Sequence, residues 1–262
     1  MHDKLTEYYL TSYNEENRFQ LSQAHSIEFI TTMKYLLEYL PSGCSVLDCC
    51  AGGGAYAFPL AKEGYKVTAG DLVQQHVDIL NEENKDGALA HVYQIDALDM
   101  SRFPDESFDA VLCLGALYHL MELPDRQKCV SECLRVLKKG GIFAFAYINR
   151  HAMYINSFNN AASTAEELSA IAETGQNGVF YAMDFNEPAE LMSNFPAEKL
   201  ADIGVDGLMY PLKNRLNEAT PEEFSAYMTH HLNTCEQPSI IGHSMHGLWV
   251  GRKLSFGGDW IN

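Results

Sequence analysis

Basic residues are scarce in this chain of 262 residues: 18 Lys and Arg stand against 35 Asp and Glu, a formal net charge of −17. Such a field repels polyanions unless the cations cluster, and only Lys138-Lys139 and Arg252-Lys253 are paired, so nucleic acid is excluded as an expected partner. Long apolar runs are missing as well. None approaches a membrane span, and the polar, tyrosine-rich start lacks the regions of a secretory leader, so the expectation is a cytoplasmic protein with no membrane partner. Repeats and low-complexity tracts are absent. The seven cysteines (Cys44, Cys49, Cys50, Cys113, Cys129, Cys133 and Cys235) are an odd set lying mostly inside apolar runs, which reads as reduced core thiols rather than a disulfide framework. Histidine and cysteine repeat no closed zinc spacing. His230-His231 with Cys235, and His243 with His246, are the nearest approaches, and no metal is expected. What the chain does have is 47% hydrophobic residues, enough for one full core, and hence one domain over 1–262 with elaborations.

A short apolar run ending in an acid, followed by three glycines and a helix-compatible segment, stands at 46–54 (Val-Leu-Asp-Cys-Cys-Ala-Gly-Gly-Gly). It reads as a buried strand turning sharply into a helix that starts no earlier than about Ala55, because Pro59 is tolerated only in a first turn. Further strands are expected at 66–71, 91–95, 108–114 and 142–148, separated by helical patterns at 72–83 and 124–137. Strand and helix alternate, which argues for an α/β fold: a doubly wound, mostly parallel sheet with helices on both faces. Before it, 26–40 carries Ile27, Ile30, Met33, Leu37 and Leu40 at helical spacing, and the aromatic N-terminal stretch (Tyr8, Tyr9, Tyr13, Arg18, Phe19) reads as a packed cap spanning 1–25. Beyond Asn149 the rhythm breaks. Residues 150–187 read as an insertion, 189–203 as a helix despite Pro196, 207–212 as a strand, 221–232 as a helix capped by Thr220, and 240–253 as a final, antiparallel strand.

In an open parallel sheet, ligands bind outside the carboxyl ends of the strands. Here those ends carry Asp48 with Gly52 and Gly54, then Asp71, Asp96 and Leu114-Gly115. Asp71 follows Gly52 by nineteen residues, a spacing suited to a carboxylate that accepts from the ribose hydroxyls of a nucleoside seated on the glycine turn. The turn also satisfies the loose dinucleotide pattern, but no second mononucleotide half is evident, and Asp96 is placed to accept from an adenine amino group.

This order of motifs resembles the class I S-adenosylmethionine-dependent methyltransferases, most strongly over 46–148. The glycine-rich stretch at 46–54 is similar to the family's first motif, Val-Thr-Ala-Gly-Asp-Leu (67–72) to its second-strand acid and Asp96-Ala97 to its adenine-side acid. Residues 108–120 resemble its fourth strand, and 134–143 its helix-to-fifth-strand junction. Cys50 stands where the family usually has glycine. The resemblance implies a Rossmann-like, seven-stranded sheet and S-adenosylmethionine as cofactor, bound by Tyr13, Arg18, Asp48, Cys50, Ala51, Gly52, Gly54, Asp71, Leu72, Asp96, Ala97, Leu114 and Gly115. It further implies methyl transfer to an oxygen or nitrogen of a small-molecule acceptor, with 150–187 lining the acceptor pocket. His119 and Tyr118, just past the fourth strand, are the candidate catalytic residues, His119 because it titrates near neutrality. Cys50 keeps a second reading open, a module that binds the nucleoside without turnover. The sequence leaves the oligomeric state undetermined.

Overall fold

The apolar runs that end on acids form the central strands. In the computed structural model, which describes residues 8–9 and 21–255, β1 (Ser45–Asp48), β2 (Lys66–Asp71), β3 (His91–Gln94), β4 (Phe108–Cys113) and β5 (Leu137–Asn149) lie parallel in the order β3-β2-β1-β4-β5. Alternate residues of these strands face opposite layers. Leu47, Val111, Phe143 and Phe145 enter one core cluster, and Val46, Ala110, Leu112 and Ala144 the other. Helices cover both faces: α1 (Ser26–Tyr39), α2 (Ala57–Lys62) and α3 (Gln74–Glu83) with the second cluster, α4 (Leu123–Val136) with the first.

The expected insertion is ordered. It forms α5 (Arg150–Asn159), α6 (Ala165–Thr174) and a hairpin of β6 (Gln176–Asn177) and β7 (Phe180–Met183). β7 pairs with the last two residues of β5, Ile148 with Ala182 and Asn149 with Met183, beyond the point where β4 leaves that strand at Phe145. This sets the hairpin against the exit of β4. After α7 (Glu187–Met192), the chain adds β8 (Ala197–Gly204), α8 (Met209–Asn217), α9 (Pro221–Thr234), α10 (Pro238–Ile241) and β9 (His246–Lys253). β9 runs antiparallel to β5, and β8 antiparallel to β9, completing the seven-stranded sheet to which the hairpin is added. Thr220 caps α9 in a reciprocal box with Glu223, as its position suggested. Among the described residues no helix is long and apolar enough to cross a membrane.

Four expectations need correcting. The helix expected over 189–203 stops at Met192; past Pro196 the chain becomes β8, whose pairing with β9 overrides local propensity. Residues 207–212 belong mostly to α8, a short segment in which the helical spacing of Met209 and Leu216 is easily missed. β9 begins only at His246, so His243 lies outside the strand. At α1 the expected spacing holds in part: Ile27, Met33 and Leu40 are buried, but Ile30 and Leu37 are exposed, and Glu28, Thr31, Thr32 and Tyr35 are buried instead. A helix that borders a polar cleft turns polar groups inward, which hydrophobic spacing alone does not reveal.

Candidate functional site

The strand order reverses between β1 and β4, and the glycine turn sits at that switch point. Cys49 N donates to Leu112 O and Ala51 N to Gly70 O, so the turn is strung between the ends of β4 and β2. Gly52 takes φ +53, and its N–H donates at 2.9 Å to Asp71 Oδ2. Val73 N, at 2.9 Å, and His76 Nδ1, at 3.1 Å, approach Asp71 Oδ1. Three neighbours thus hold one carboxylate at the cleft wall. Gly54, also at positive φ, is packed: a Cβ there would strike Phe58 and Leu80, and it is not among the residues that border the cleft.

Cys50 needs no unusual backbone, and its thiol turns toward the exit of β4, where Gly115 N donates to Sγ at 3.0 Å. The two positions are matched. A Cβ on Gly115 would lie 3.3 Å from the Cβ of Cys50, so the missing side chain of one makes room for the other.

Asp48 is the least satisfied group of the cleft. It is 1% exposed and its Oδ1 has no hydrogen-bond partner among the described residues. Burial, and then the neighbouring Asp71, pushes its pKa up to about 8. Asp96 is turned by its own loop, Oδ1 accepting from Leu98 N at 2.9 Å. Every expected cofactor residue within the described part, Gly54 excepted, borders this one cleft. Tyr13 and Arg18 lie outside the described residues.

The 3-10 turn Leu117–His119 leaves β4 and carries both candidate catalytic residues. Arg126, buried in α4, donates to Leu120 O and Met121 O at 2.7 and 2.8 Å and pins the segment that follows. Tyr118 Oη donates to Leu114 O at 3.0 Å. His119 Nδ1 is 2.9 Å from Val179 O; a carbonyl only accepts, so Nδ1 carries the hydrogen and Nε2 accepts from the Tyr9 hydroxyl, also at 2.9 Å. Burial pushes the His119 pKa down to about 4, leaving the ring neutral at neutral pH.

A second cavity adjoins the cleft and shares the side chains of Tyr9, Glu28, Tyr118 and His246 with it. Its other walls are largely apolar, among them Ile148, Met153, Phe180, Met209 and Met245. Met153 and Phe180 come from the 150–187 region; Met209, Met245 and His246 come from later elements that the sequence reading left out of the site. The imagined metal pairs are not assembled. His231 Nε2 lies 3.0 Å from Thr31 Oγ1, Cys235 meets the Tyr35 hydroxyl, and His243 rests on Ser239 O. Among the described residues, Cys49, Cys113 and Cys133 in the core and Glu28, Asp206 and His246 beside the cleft form the groups whose ligand atoms converge within 4.8 Å.

A family model described as a methyltransferase domain matches residues 47–145. A ubiquinone biosynthesis O-methyltransferase of Xanthomonas oryzae pv. oryzae (strain PXO99A) is 30% identical over 190 residues, covering 71% of this chain and 76% of the relative. The chain belongs to the class I S-adenosylmethionine-dependent methyltransferases. Solved structures agree on the fold: a Pyrococcus horikoshii OT3 protein aligns at TM-score 0.63 and 18% identity over 94% of this methyltransferase and 98% of that chain. A SAM-dependent methyltransferase of Methanosarcina mazei aligns at 0.59 and 17% over 84% and 97%. The cofactor of this methyltransferase is S-adenosylmethionine, and its methyl acceptor is a small molecule. The cleft fits that cofactor: the orphaned Asp48 oxygen asks for a donor such as an ammonium, and carboxylates stand at the β2 and β3 ends for hydroxyl and amino donors.

Proposed function

We propose that this methyltransferase transfers the methyl group to the hydroxyl of a neutral small molecule with an apolar body, in the cytoplasm. One observation carries the reading: the second cavity, apolar along most of its wall, opens beside the cofactor cleft and meets it at Glu28 and His246. The names of the curated relatives, ubiquinone biosynthesis O-methyltransferases, support oxygen as the acceptor atom. The Glu28 carboxylate at the junction disfavours an anionic acceptor, since like charges in a partly desolvated site repel strongly. The seven unpaired cysteines support a reducing compartment.

In this reading Asp71 accepts from the ribose hydroxyls, Asp96 from the adenine, and Asp48 from the ammonium of the methionine end, while the backbone at Leu114 and Gly115 lines the cofactor. Bound S-adenosylmethionine supplies an electrophilic methyl group on a sulfonium. The protein's task is to exclude water, to hold the acceptor in line and to take its proton. Tyr8 and Tyr9 act as part of a cap, their rings edge-on to Phe180 and His119 respectively, and the 150–187 region supplies one wall of the acceptor pocket. His119 acts as a wall and anchor for Tyr9 instead of as a base, because both its nitrogens are engaged and its basicity is low. Tyr118 is a wall as well.

Transfer of a labelled methyl group from S-adenosylmethionine to butylphenol, compared with hydroxybenzoate, tests the reading. Methylation of butylphenol with kcat/KM about tenfold or more above that of the carboxylate is expected, the size of one unfavourable charge contact. Preference for hydroxybenzoate, or transfer to neither, would refute the acceptor class.

A further inference from the structure

We infer that His246 is the general base of methyl transfer and that Asp206 positions it, an inference that rests on the hydroxyl acceptor proposed above. His246 opens β9 and borders both cavities, so one imidazole reaches the places of both reactants. Its Nδ1 lies 2.8 Å from Asp206 Oδ2. A carboxylate only accepts, so Nδ1 carries the hydrogen and Nε2 of the neutral ring bears the lone pair. Asp206 has no solvent exposure and is itself immobilised: Ser244 Oγ donates to its Oδ1, and the His246 amide donates to Oδ2 at 3.2 Å. Ser244 in turn accepts from the Asp206 and Gly207 amides at 3.1 and 2.8 Å. The ring therefore has one tautomer and one orientation, the arrangement by which a buried acid readies a histidine to take a proton.

The groups facing His246 come from several elements. Glu28 of α1 places Oε2 3.4 Å from Nδ1, Asp206 follows β8, and the Tyr210 ring of α8 lies 6.3 Å away. Tyr9, Tyr118 and His25 border the same cavity, and among the described residues no Lys or Arg lines either one. Two carboxylates beside the ring favour the imidazolium as it forms. His119 offers the opposite environment, an apolar burial that holds it neutral. In the step itself, the acceptor oxygen bonds to the methyl carbon while the carbon–sulfur bond breaks with its electron pair passing to sulfur. The acceptor proton moves to His246 Nε2 and then to solvent.

The test uses the full chain with S-adenosylmethionine and butylphenol. His246→Gln is expected to lower kcat about 100-fold near neutral pH, and to recover about tenfold per pH unit above it as the phenol ionises unaided. Calorimetric affinity for S-adenosylhomocysteine should stay within about threefold, and Asp206→Asn should lower kcat less, without further loss when combined with His246→Gln. A readout independent of turnover is long-range nitrogen NMR of the S-adenosylhomocysteine complex: His246 should appear as the Nδ1–H tautomer in wild type and lose that preference in Asp206→Asn. Unchanged kcat, a deficit independent of pH, or the Nε2–H tautomer would overturn the assignment. So would activity lost to a chelator and restored by Mg2+, which would put a metal on Glu28, Asp206 and His246. If wild type leaves butylphenol untouched, the acceptor class falls, and the base assignment is then decided by the tautomer and its dependence on Asp206.

Discussion

The donor half of the site and the acceptor half are built in different ways. The donor half is a row of consecutive strand ends, β1, β2, β3 and β4, each delivering its residue within a few positions of a strand terminus. The acceptor half is collected from α1, β5, α5, β7, α8 and β9, whose contributions are spread from Glu28 to His246. A local motif can specify the first. Only the assembled sheet creates the second.

The sharpest way to separate the halves is to damage one and read both. Asp71→Ala removes a carboxylate that receives Gly52 N, Val73 N and His76, and leaves buried donors unpaired; affinity for S-adenosylhomocysteine should fall about 100-fold or more by calorimetry. Undiminished binding would break the comparison at its donor end.

On the wall of the cofactor cleft, next to the shared Tyr118, stands His119. Its value of about 4 in the folded chain lies below the ordinary 6.5, so the unfolded chain takes up the proton first as pH falls. The stability this group contributes is present above pH 6.5 and is lost on the way down to about pH 4. Urea unfolding across that window should show a decline on the order of 3 kcal/mol from this group, and His119→Asn should flatten it. An unchanged slope would mean that His119 is not buried neutral.

Phe180→Ala trims the acceptor wall and the seat of the Tyr8 ring. It should raise KM for butylphenol about tenfold and leave S-adenosylhomocysteine affinity unaltered, a loss typical of one aromatic contact. On the donor side, Asp48 is held near pH 8 before binding, so a cationic partner should expel its proton. Calorimetry near neutral pH in buffers of different ionisation enthalpy should register release of up to about one proton in wild type and none in Asp48→Asn. The smallest effect is expected at Cys50. Because its thiol faces Gly115 and its backbone is unstrained, Cys50→Gly should change S-adenosylhomocysteine affinity by no more than about threefold and lower stability by about 1 kcal/mol.

This contrast explains what could be read from the residues alone. Asp48, Gly52, Asp71 and Asp96 are legible because a strand ending, a turn and a fixed spacing are local facts. The same pattern names Gly54, whose missing side chain makes room for Phe58 and Leu80, a packing role that a pattern cannot reveal. Glu28 and Thr32 were passed over because hydrophobic spacing in α1 favoured Ile30 and Leu37, which are exposed. His246 and Asp206 are out of reach for a stronger reason: they meet only after β8 and β9 pair, whereas the sequence reads as a helix over 189–203, a strand over 207–212, a helix over 221–232 and a final strand over 240–253. One faint signal was available, a histidine entering an otherwise apolar final strand.

The most direct test of two separate halves is a crystal structure with S-adenosylhomocysteine bound. Density is expected along Gly52, Asp71, Asp96 and Gly115, with the amino group beside Asp48 and the cavity of Met153, Phe180, Met209 and Met245 left open for the acceptor. Density in that cavity, or an adenine end away from Asp71 and Asp96, would contradict the account.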